Sequence, residues 1–392
     1  MSIRTTLLAF LTTARNALKA PAAQRPKPLT LVVGNESADL DSLCSAIVYA
    51  FIRTHTAPHT LHIPLSNLPR EDLALRTEMT AVLRHAGLVP ENLLTLSDLP
   101  DGLEPHDTRW LLVDHNSLTG PLRRFAGQVT GCVDHHVDEG VIPRDAQPRV
   151  IEPCGSCMSL LVHECKQAWT DLSRQQTDDA ENDGLIKLAL APILLDTTNL
   201  TAKSKVRPKD TQAVSFLEQQ MRDKAFNATK YYDEINAVKE DISGLSFRDI
   251  FRKDYKQWEE QGLTLGVCCV VQGFEYLLEK AQTDQQDFLQ ELASWSDERK
   301  LDVSAVMTTS HPGGKFHRQL LVWGRNDKGT DAVGRFKDLA TERLRLEQWK
   351  NGELDGDGNA RFAWGQYELA ASRKQVAPLL REALKLSKEQ KI

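Results

Sequence analysis

The sequence predicts an α/β protein with a parallel sheet, followed by a smaller α+β domain. Three observations favour this fold class. Short β-rich runs alternate with helical patterns through the first 200 residues, whereas strand-like runs between residues 263 and 323 lack this strict alternation. The chain has 392 residues, of which 41% are hydrophobic, and this is enough to build two domains with separate cores.

The elements of the first half follow one another in a regular order. Four strand-like runs are Leu29–Val33, Thr60–Pro64, Trp110–Asp114 and Val129–Asp134. The helical patterns are Ser42–Arg53, Arg70–His85, Ser156–Trp169 and Gly184–Leu194. The polar stretch Ser173–Asp183 is predicted to be a surface loop. Strands that alternate with helices imply a parallel sheet covered on both faces.

A basic stretch, Thr201–Asp210, starts the predicted connection between the domains. We therefore expect a first domain of residues 1–205 and a second domain of residues 206–392. After a mostly helical segment, the strand-like runs of the second domain are Leu263–Val271, Val303–Thr308 and Gln319–Trp323. Its later helices are predicted at Gly334–Arg345 and Arg373–Glu389. Strands and helices that do not alternate strictly predict an α+β domain.

Composition and charge exclude several classes of protein. No stretch approaches the roughly 18 uninterrupted apolar residues that a membrane-spanning helix needs, so we expect no membrane span. The formal net charge of −6 argues against a general nucleic-acid binder. Residues 1–200 hold 17 Lys and Arg against 24 Asp and Glu, whereas the remainder holds 31 against 30. The excess acid of the first half serves a metal site or solvates a surface, and composition does not decide between them.

The cysteines and the N-terminal residues give indications of the cellular compartment of the protein. An odd count of seven cysteines, lying in apolar runs, points to a reducing compartment and a cytoplasmic protein. The lone C-x-x-C of Cys154 and Cys157 is better explained by a tight turn into a helix near Ser156 than by zinc. The first 20 residues carry basic but no acidic side chains, which is typical of a mitochondrial presequence. The spacing of their leucines favours an ordinary surface helix, and a mitochondrial matrix location is the alternative.

Acidic residues recur where the predicted strands of the first half end. Loops at the carboxyl ends of parallel strands converge on one edge of the sheet, so these residues are expected to meet. They are joined by two histidines and by an aspartate that ends a helical run. The set is Asp39, Asp41, Asp114, Asp134, His135, His136 and Asp196. So many carboxylates need divalent cations between them, and mixed Asp and His ligands suit Mn²⁺ or Mg²⁺, and to a lesser degree Co²⁺ or Zn²⁺. Each element alone is a weak signal; their order along the chain indicates two bound metal ions.

These segments show a resemblance to a known family. Gly34-Asn-Glu-Ser-Ala-Asp-Leu-Asp-Ser42, Leu112-Val-Asp-His-Asn116, Val133-Asp-His-His136 and Leu195-Asp-Thr197 resemble the four ordered motifs of the DHH phosphoesterase superfamily. Ile242–Ile250, Lys253–Lys256 and Ser372–Pro378 resemble the DHH-associated C-terminal domain of family II inorganic pyrophosphatases, exopolyphosphatases and prune-type proteins. The first motif is most similar to that of fungal cytosolic exopolyphosphatases. The resemblance implies a parallel-sheet DHH domain, a smaller α+β DHH-associated domain and an active site in the cleft between them.

The resemblance also implies roles for the motif residues. Asp39 and Asp114 would bind one metal ion. The other ion would have the ligands Asp41, Asp114, His135 and Asp196. The catalytic residues would be Asp114, His136, which faces the substrate phosphate, and Asp134, which orients the two histidines.

Substrate-binding cations are implied mainly in the second domain. Arg373 and Lys374 match a pair that binds phosphate oxygens, and Lys256 is a weaker match to a third phosphate-binding group. A long polyanion also needs positive charges beyond the first phosphates. The candidates are Lys203, Lys205, Arg207 and Lys209 near the connection, and Lys315, His317 and Arg318 in the second domain. The alternative for the Lys203–Lys209 run is a solvated linker.

Asn35 departs from the family II pyrophosphatase pattern, which has a histidine there. An amide is a poorer ligand than imidazole, so Asn35 is expected to hold the first metal loosely or through water. We therefore expect a metal-dependent exopolyphosphatase that releases orthophosphate from inorganic polyphosphate. The alternatives are a family II pyrophosphatase, another phosphoesterase of the superfamily and a prune-like regulatory protein. The intact Asp134-His135-His136 favours an active enzyme, and the lack of an aromatic-rich RNA-binding module disfavours a nuclease.

Overall fold

The computed structural model describes residues 6–284, 286–356, 358 and 360–385. Contacts divide the chain into two units, one up to Lys239 and the other from Glu240 onward. Each unit has a β-sheet with an apolar core on either face.

Among its described residues, the first unit has five strands and eight α-helices. The strands are β1 (Leu29–Val33), β2 (His62–Leu65), β3 (Thr108–Val113), β4 (Val129–Asp134) and β5 (Arg149–Ile151). The helices before β5 are α1 (Leu7–Lys19), α2 (Leu40–His55) and α3 (Thr77–His85). The helices after it are α4 (Cys157–Glu164), α5 (Lys166–Gln175), α6 (Asp179–Asp196), α7 (Pro208–Gln220) and α8 (Ala228–Glu240), which ends at the boundary.

The sheet of the first unit is parallel throughout, with the strand order β2-β1-β3-β4-β5. Successive side chains of a strand point to opposite faces, so Val32 enters one core while Leu31 and Val33 enter the other. Burial on both faces explains why β1 is apolar at nearly every position. The predicted parallel sheet is therefore confirmed.

The strand order places a topological switch point at the centre of the sheet. The chain passes from β1 outward to β2 on one side, and then returns to β3 on the other side of β1. The loops that leave β1 and β3 therefore diverge in opposite directions and open a crevice at their carboxyl ends. Ligand sites of open α/β sheets form at such crevices.

Two expectations about the first unit differ from the structure. The predicted loop Ser173–Asp183 is wrong, because α5 continues to Gln175 and α6 begins at Asp179. Asp178 caps α6 by accepting hydrogen bonds from two backbone N–H groups, and this stabilises an early start of the helix.

The division of contacts also differs from the predicted boundary between residues 205 and 206. Helices α7 and α8 bury apolar side chains in the core of the first unit, so residues 206–239 pack with it. Those side chains are Ala213, Val214, Phe216, Leu217, Tyr231 and Ile235. The basic stretch predicted to connect the domains, Thr201–Asp210, lies within the first unit, and its last three residues form the start of α7.

Helix α1 belongs to the same unit. Its apolar stripe of Leu7, Phe10 and Leu11 is buried, as the leucine spacing predicts for an amphipathic helix. Arg15 and Lys19 on its polar side form ion pairs with the buried carboxylate of Asp98. The helix is thus fixed by both apolar and ionic contacts.

The second unit is built around a six-stranded mixed sheet. Its strands are β6 (Tyr255–Glu260), β7 (Leu263–Val270), β8 (Val303–Ser310), β9 (His317–Gly324), β10 (Leu346–Gln348) and β11 (Arg361–Gln366). Its helices are α9 (Phe247–Lys253), α10 (Phe274–Thr283), α11 (Phe288–Glu298), α12 (Asp327–Leu344) and α13 (Arg373–Lys385). The strand order is β10-β11-β9-β8-β7-β6, and only β7 and β8 pair in parallel.

The mixed sheet confirms the predicted α+β fold of the second domain. Helices α12 and α13 cover one face, where Phe336 and Leu380 are buried, and α9 to α11 cover the other, where Phe251 and Phe288 are buried. Residues 386–389 of the last predicted helix lie outside the described residues. None of the helices in the described part of the chain has both the length and the hydrophobicity needed to cross a bilayer.

Candidate metal centre

The acidic residues of the first unit lie at the switch point of its sheet. The loop after β1 carries Asn35 and Asp39, and Asp114 directly follows β3. Asp134 ends β4, which is the neighbour of β3. A Cβ at Gly34 would lie only 2.5 Å from the Cβ of Ser42, so glycine is required where the end of β1 meets the start of α2. The close approach brings the first motif against Asp114.

Asp114 is held in a fixed orientation. Its backbone has φ +61°, a left-handed conformation that is uncommon for residues other than glycine. Its backbone N–H donates to the Val133 carbonyl (3.0 Å) and to Cys157 Sγ (3.2 Å), which supports this conformation. Its Oδ2 accepts hydrogen bonds from Asn35 Nδ2 and Ser42 Oγ, both at 2.7 Å. The carboxylate is thus positioned by the loop after β1 and the first turn of α2, and its backbone is held by β4 and α4.

Asp41 lies in the first turn of α2 and is buried. Its Oδ2 accepts from the Cys157 backbone N–H (2.7 Å), and its Oδ1 accepts from the Met158 N–H and from Ser45 Oγ, both at 3.1 Å. The carboxylate therefore lies at the N-terminus of α4, where the helix dipole favours negative charge. Its Oδ2 is 4.0 Å from His135 Nε2.

The two histidines are oriented through their Nδ1 atoms. The ring of His135 donates from Nδ1 to the Cys154 carbonyl (3.1 Å), because a carbonyl only accepts. Its Nε2 is thereby directed to the carboxylates and lies 3.1 Å from Asp114 Oδ1. His136 Nδ1 is 2.7 Å from Asp134 Oδ1. In the described part of the chain, Asp114, His135 and His136 each offer a ligand atom within 4.8 Å of the others.

Asp134 is fully buried and supports His136 rather than facing solvent. Its Oδ1 also accepts from the His136 backbone N–H, and its Oδ2 accepts from Asn116 Nδ2 at 2.6 Å. Burial alone would raise the pKa of Asp134, but the hydrogen bond and charge of His136, the charge of His135 and the Asn116 bond hold the pKa well below its usual range. Asp134 thus stays ionised and keeps a proton on His136 Nδ1.

The remaining carboxylates interact electrostatically with this group. Burial, followed by the charges of Asp114 and Asp196, raises the pKa of Asp41 well above its ordinary value. Burial and the charge of Asp39 raise the pKa of Asp196, which ends α6. Carboxylates that raise each other's pKa repel one another, and a divalent cation bound among them would relieve that repulsion. The set of aspartates with an imidazole nitrogen therefore fits divalent metal ions, whose preferred ligands are these oxygens and nitrogens.

Asn35 is placed differently from the expected ligand position. Its side-chain oxygen accepts from the Ser37 N–H and Ser37 Oγ, and its side-chain nitrogen donates to Asp114. Both ends of the amide are therefore engaged with protein groups. In this arrangement Asn35 orients the carboxylate of Asp114 instead of offering its own oxygen to a metal ion.

In the second unit, three of the predicted phosphate-binding cations act electrostatically on Cys269 of β7. Burial and the charge of Asp254 raise the pKa of the Cys269 thiol to about 11, while the positive charges of Arg373, Arg318 and Lys256 oppose that rise. Arg373 begins α13 and pairs with Asp254 at 2.8 Å. The three cations therefore share the surroundings of one thiol with a carboxylate.

Arg318 is the most buried of these cations, with 8% of its surface exposed. It donates from Nε to the Leu369 carbonyl (2.8 Å), and its guanidinium lies 5.0 Å from the centre of the Phe316 ring. Burial lowers the pKa of Arg318. Among the described residues no carboxylate forms an ion pair with it, so its charge is available to an anion.

The other predicted cations lie on the surface. Lys374 and His317 are exposed in the second unit, and Lys205 is exposed in the first. The charge of Lys205, after those of Lys239 and His135, opposes the rise in the pKa of Asp196, so Lys205 acts electrostatically on that carboxylate. Cys154 and Cys157 are thiols on either side of the turn into α4, with Ser156 as its N-cap, as the sequence predicts.

Three residues that support the site were not singled out as site residues from the sequence. Ser42 and Asn116 hydrogen-bond Asp114 and Asp134, and both lie inside the motif segments, which was the available signal. Asp210 is buried and accepts hydrogen bonds from the loop before α4. Its only sequence signal was its place as the third residue of a helix that begins at Pro208, and an aspartate there is also typical of an ordinary helix cap.

With this geometry established, comparison with known proteins defines the class. Residues 30–194 match the DHH family, N-terminal domain, and residues 233–383 match the DHHA2 domain. The chain belongs to the DHH family of phosphoesterases that carry a DHHA2 domain. The resemblance, the two-domain fold class and the hydrolase class predicted from the sequence are thereby confirmed.

Individual relatives cover almost the whole chain. A protein of Schizosaccharomyces pombe, named "Putative exopolyphosphatase", is 32% identical over 377 residues, covering 94% of either chain. The human "Exopolyphosphatase PRUNE1" is 27% identical over 376 residues, covering 93% of this chain and 77% of its own. A manganese-dependent inorganic pyrophosphatase of Methanothrix thermoacetophila is 23% identical over 282 residues, covering 71% of this chain and 80% of its own.

A solved structure supports the fold. The crystal structure named for a "putative family II inorganic pyrophosphatase" of Methanococcus jannaschii has a TM-score of 0.59 to this chain. The match covers 91% of this chain and 99% of the other, at 19% identity. At this identity the likeness establishes the fold, and the chemistry must be argued from the site.

Proposed function

We propose that this chain is a divalent-metal-dependent exopolyphosphatase that removes the terminal phosphate of inorganic polyphosphate and releases orthophosphate. The observation that carries the proposal is the fixed carboxylate of Asp114, with one oxygen bound by Asn35 and Ser42 and the other 3.1 Å from His135. The full-length likeness to relatives named exopolyphosphatases supports the substrate.

The proposed centre holds two divalent ions, Mn²⁺ or Mg²⁺, with Co²⁺ as a further candidate. Asp39 and Asp114 would bind one ion. The ligands of the other would be Asp41, Asp114, His135 and Asp196. A likeness to a manganese-dependent pyrophosphatase supports the metal class. The physical reason for metal binding is that the buried carboxylates, whose pKa values are raised, would be stabilised by divalent cations. When bound, divalent cations withdraw charge from phosphate oxygens and lower the pKa of water.

The protein groups prepare the site for a dianionic substrate. Asp134 holds a proton on His136 Nδ1 and stabilises a positive charge on that ring, so His136 can donate from Nε2 to a phosphate oxygen. Asp114 and His135 keep their positions without rearrangement because neighbouring groups fix them. Most of the catalysis of phosphoryl transfer is positioning and electrostatic stabilisation, which such a prearranged site supplies.

The second unit is proposed to bind substrate phosphates. Arg373, Lys374 and Lys256 would neutralise the oxygens near the reacting phosphate. Arg318, His317 and Lys205 would contact phosphates further along the chain. This assignment is supported by three of the six side chains, Arg373, Arg318 and Lys256, whose charges all act on the Cys269 thiol. We accordingly assign metal binding and catalysis to the first domain and substrate binding to the second.

Two related functions are less well supported. In a family II pyrophosphatase the position of Asn35 carries a histidine, whereas here the amide is used to orient Asp114. A prune-like regulatory role without catalysis is disfavoured because Asp134, His135 and His136 are present and hydrogen-bonded. The seven reduced cysteines suit a cytoplasmic location, which we propose together with inorganic polyphosphate as the substrate.

The experiment that tests the proposed activity compares substrates at one metal concentration. Orthophosphate release would be measured from long polyphosphate, tripolyphosphate and pyrophosphate, with Mg²⁺, Mn²⁺ or Co²⁺ added in turn. The proposal expects the highest kcat/KM for polyphosphates of three or more phosphates and no release after chelation. A preference for pyrophosphate would favour the pyrophosphatase instead, and no release from any substrate would favour the regulatory role.

A further inference from the structure

A buried carboxylate outside the four motifs contacts the loop before α4. Asp210, in the first turn of α7, has none of its surface exposed. It accepts hydrogen bonds from backbone, hydroxyl and thiol groups. The donors are Gly155 N (2.9 Å), Ser156 N (3.3 Å), Arg207 N (2.7 Å), Ser159 Oγ (2.6 Å) and Cys154 Sγ (3.2 Å). A helix cap requires only the Arg207 contact, so the other four serve another purpose.

Four of these donors belong to the loop before α4 or to the first turn of that helix. A Cβ on Gly155 would lie 2.6 Å from Asp210 Oδ2 and 2.7 Å from Thr197 Cγ2. The glycine therefore allows the loop backbone to approach the carboxylate closely. Thr197 immediately follows Asp196, so the same contact places the loop beside the last of the four motifs.

The loop held by Asp210 contacts three of the candidate metal ligands. The Cys154 carbonyl accepts a hydrogen bond of 3.1 Å from His135 Nδ1. The Cys157 backbone N–H donates to Asp41 Oδ2 at 2.7 Å. The Cys157 thiol accepts from the Asp114 backbone N–H at 3.2 Å. One short segment therefore fixes the tautomer of the histidine and the positions of both aspartates.

We propose that Asp210 is a positioning residue of the metal centre, which acts through the Cys154–Cys157 loop on His135, Asp41 and Asp114. This inference rests on the proposed function, in which those three residues are ligands. Loss of the carboxylate would leave several buried N–H donors without an acceptor, so the loop would shift to satisfy them. The ligands would then lose the orientation that a metal ion requires, and groups that orient ligands typically change metal affinity by about 10-fold to 100-fold.

A purely structural role is the alternative, and the chain offers a matched control. Asp183, on α6, is also buried and accepts from the Arg222 and Asp223 backbone N–H groups and from Asn182 Nδ2. None of these partners is a candidate ligand. Each of the variants Asp183→Asn and Asp210→Asn therefore places an amide where backbone donors need an acceptor. Only Asp210→Asn should change metal binding.

The test is the dissociation constant of Mn²⁺, measured by calorimetry on the full chain with circular dichroism as the check of folding. Asp210→Asn should raise this constant about 10-fold to 100-fold, whereas Asp183→Asn should leave it within about 2-fold of wild type. Excess Mn²⁺ should partly restore hydrolysis in Asp210→Asn. If Asp210→Asn does not fold, Ser159→Ala removes one of the five donors and should raise the constant by a smaller factor.

An unchanged constant in the folded Asp210 variant, or in Ser159→Ala if that variant must be used, would overturn the inference. An equal rise in Asp183→Asn would also overturn it, because the effect would then be general destabilisation. His135→Ala separates this failure from failure of the proposed function. If His135→Ala loses Mn²⁺ but Asp210→Asn does not, only the positioning role falls; if His135→Ala binds Mn²⁺ normally, the metal centre and the inference fall together.

Discussion

Asn35 donates a hydrogen bond of 2.7 Å from its side-chain nitrogen to Oδ2 of Asp114, and the two residues are 79 positions apart in the sequence. The amide oxygen is at the same time occupied by Ser37. An amide here supports a carboxylate, whereas an imidazole would offer a nitrogen to a metal ion. Whether residue 35 is asparagine or histidine should therefore change how tightly a metal ion is bound, and with it the positive charge available to a short substrate.

We predict that Asn35→His raises pyrophosphate hydrolysis relative to polyphosphate hydrolysis. The imidazole would tighten one metal ion, and pyrophosphate depends more on the metals because it has no further phosphates to bind elsewhere. The ratio of kcat/KM for the two substrates, measured at matched metal concentration, should shift toward pyrophosphate by about tenfold, the scale on which such changes alter metal sites. An unchanged or reversed ratio would show that other residues set the substrate.

His135→Ala should abolish most of the activity without unfolding the chain. The ring supplies a nitrogen 3.1 Å from Asp114 Oδ1, and its loss should reduce kcat by at least about 100-fold. His62 is the matched control, because it is buried in the same unit and its Nδ1 also contacts a backbone carbonyl, that of Thr60. His62→Ala should keep near wild-type kcat. Similar losses in both variants would mean that His135 acts through stability alone.

Two arginines of the second unit should differ in their kinetic effect. In the proposed function Arg373 binds the reacting phosphate, so Arg373→Ala should reduce kcat/KM for every chain length, because a lost charge-assisted contact costs roughly 2–4 kcal/mol. Arg318→Ala should mainly raise KM for long chains. The measurement is kcat and KM on tripolyphosphate and on long polyphosphate, with Arg381→Ala, which removes a pair with Glu260, as the control. Equal effects of Arg318→Ala on both substrates would remove it from the proposed polyphosphate-binding residues.

Asp98 should make stability depend on acid pH. Burial would raise its pKa, but hydrogen bonds from Lys19, Arg70 and Thr95 hold the pKa of Asp98 well below its usual range. A carboxyl whose folded pKa is lowered contributes stability above its unfolded pKa of about 4 and loses it as the pH falls further. Asp98→Asn should therefore lower the free energy of unfolding by about 1–3 kcal/mol at pH 7.

The same variant has an internal check in its pH dependence. The difference in free energy of unfolding between wild type and Asp98→Asn should shrink as the pH falls below about 4. Urea titrations at pH 7 and at lower pH would measure it. A difference that stays constant across this range would contradict the assignment of the effect to ionised Asp98.

The sequence predicted that the candidate site residues Asp114 and Asp134 lie close together, because each directly follows or ends a buried strand. Asp114 and Asp134 each come after an apolar run, and the carboxyl ends of adjacent parallel strands must meet at one edge of the sheet. The supporting contacts were not predictable in this way. Asp210 reaches Gly155 across 55 residues, and its position after Pro208 looks like that of any capped helix. Such contacts depend on tertiary packing, which no local pattern contains.

The ends of helices and strands were also not fully predictable from the local sequence. The polar composition of Ser173–Asp183 suggested a loop, yet Asn182 and Asp183 are buried by hydrogen bonds to residues 220–223, and α6 starts before them. The short strand β10 has a single apolar residue, Leu346, and gains its pairing from β11, which follows later in the chain. Local propensity was overridden at these positions by contacts that form only in the folded chain.

The central claim is that Asp114 unites metal binding and polyphosphate hydrolysis in one centre. Its most direct test measures bound Mn²⁺ and orthophosphate release from long polyphosphate in the same samples of wild type and Asp114→Asn. We predict that wild type binds Mn²⁺ and releases orthophosphate, and that the folded Asp114→Asn variant loses at least about 100-fold in both affinity and kcat. An Asp114→Asn protein that still binds Mn²⁺ tightly and hydrolyses polyphosphate at a near wild-type rate would contradict this account.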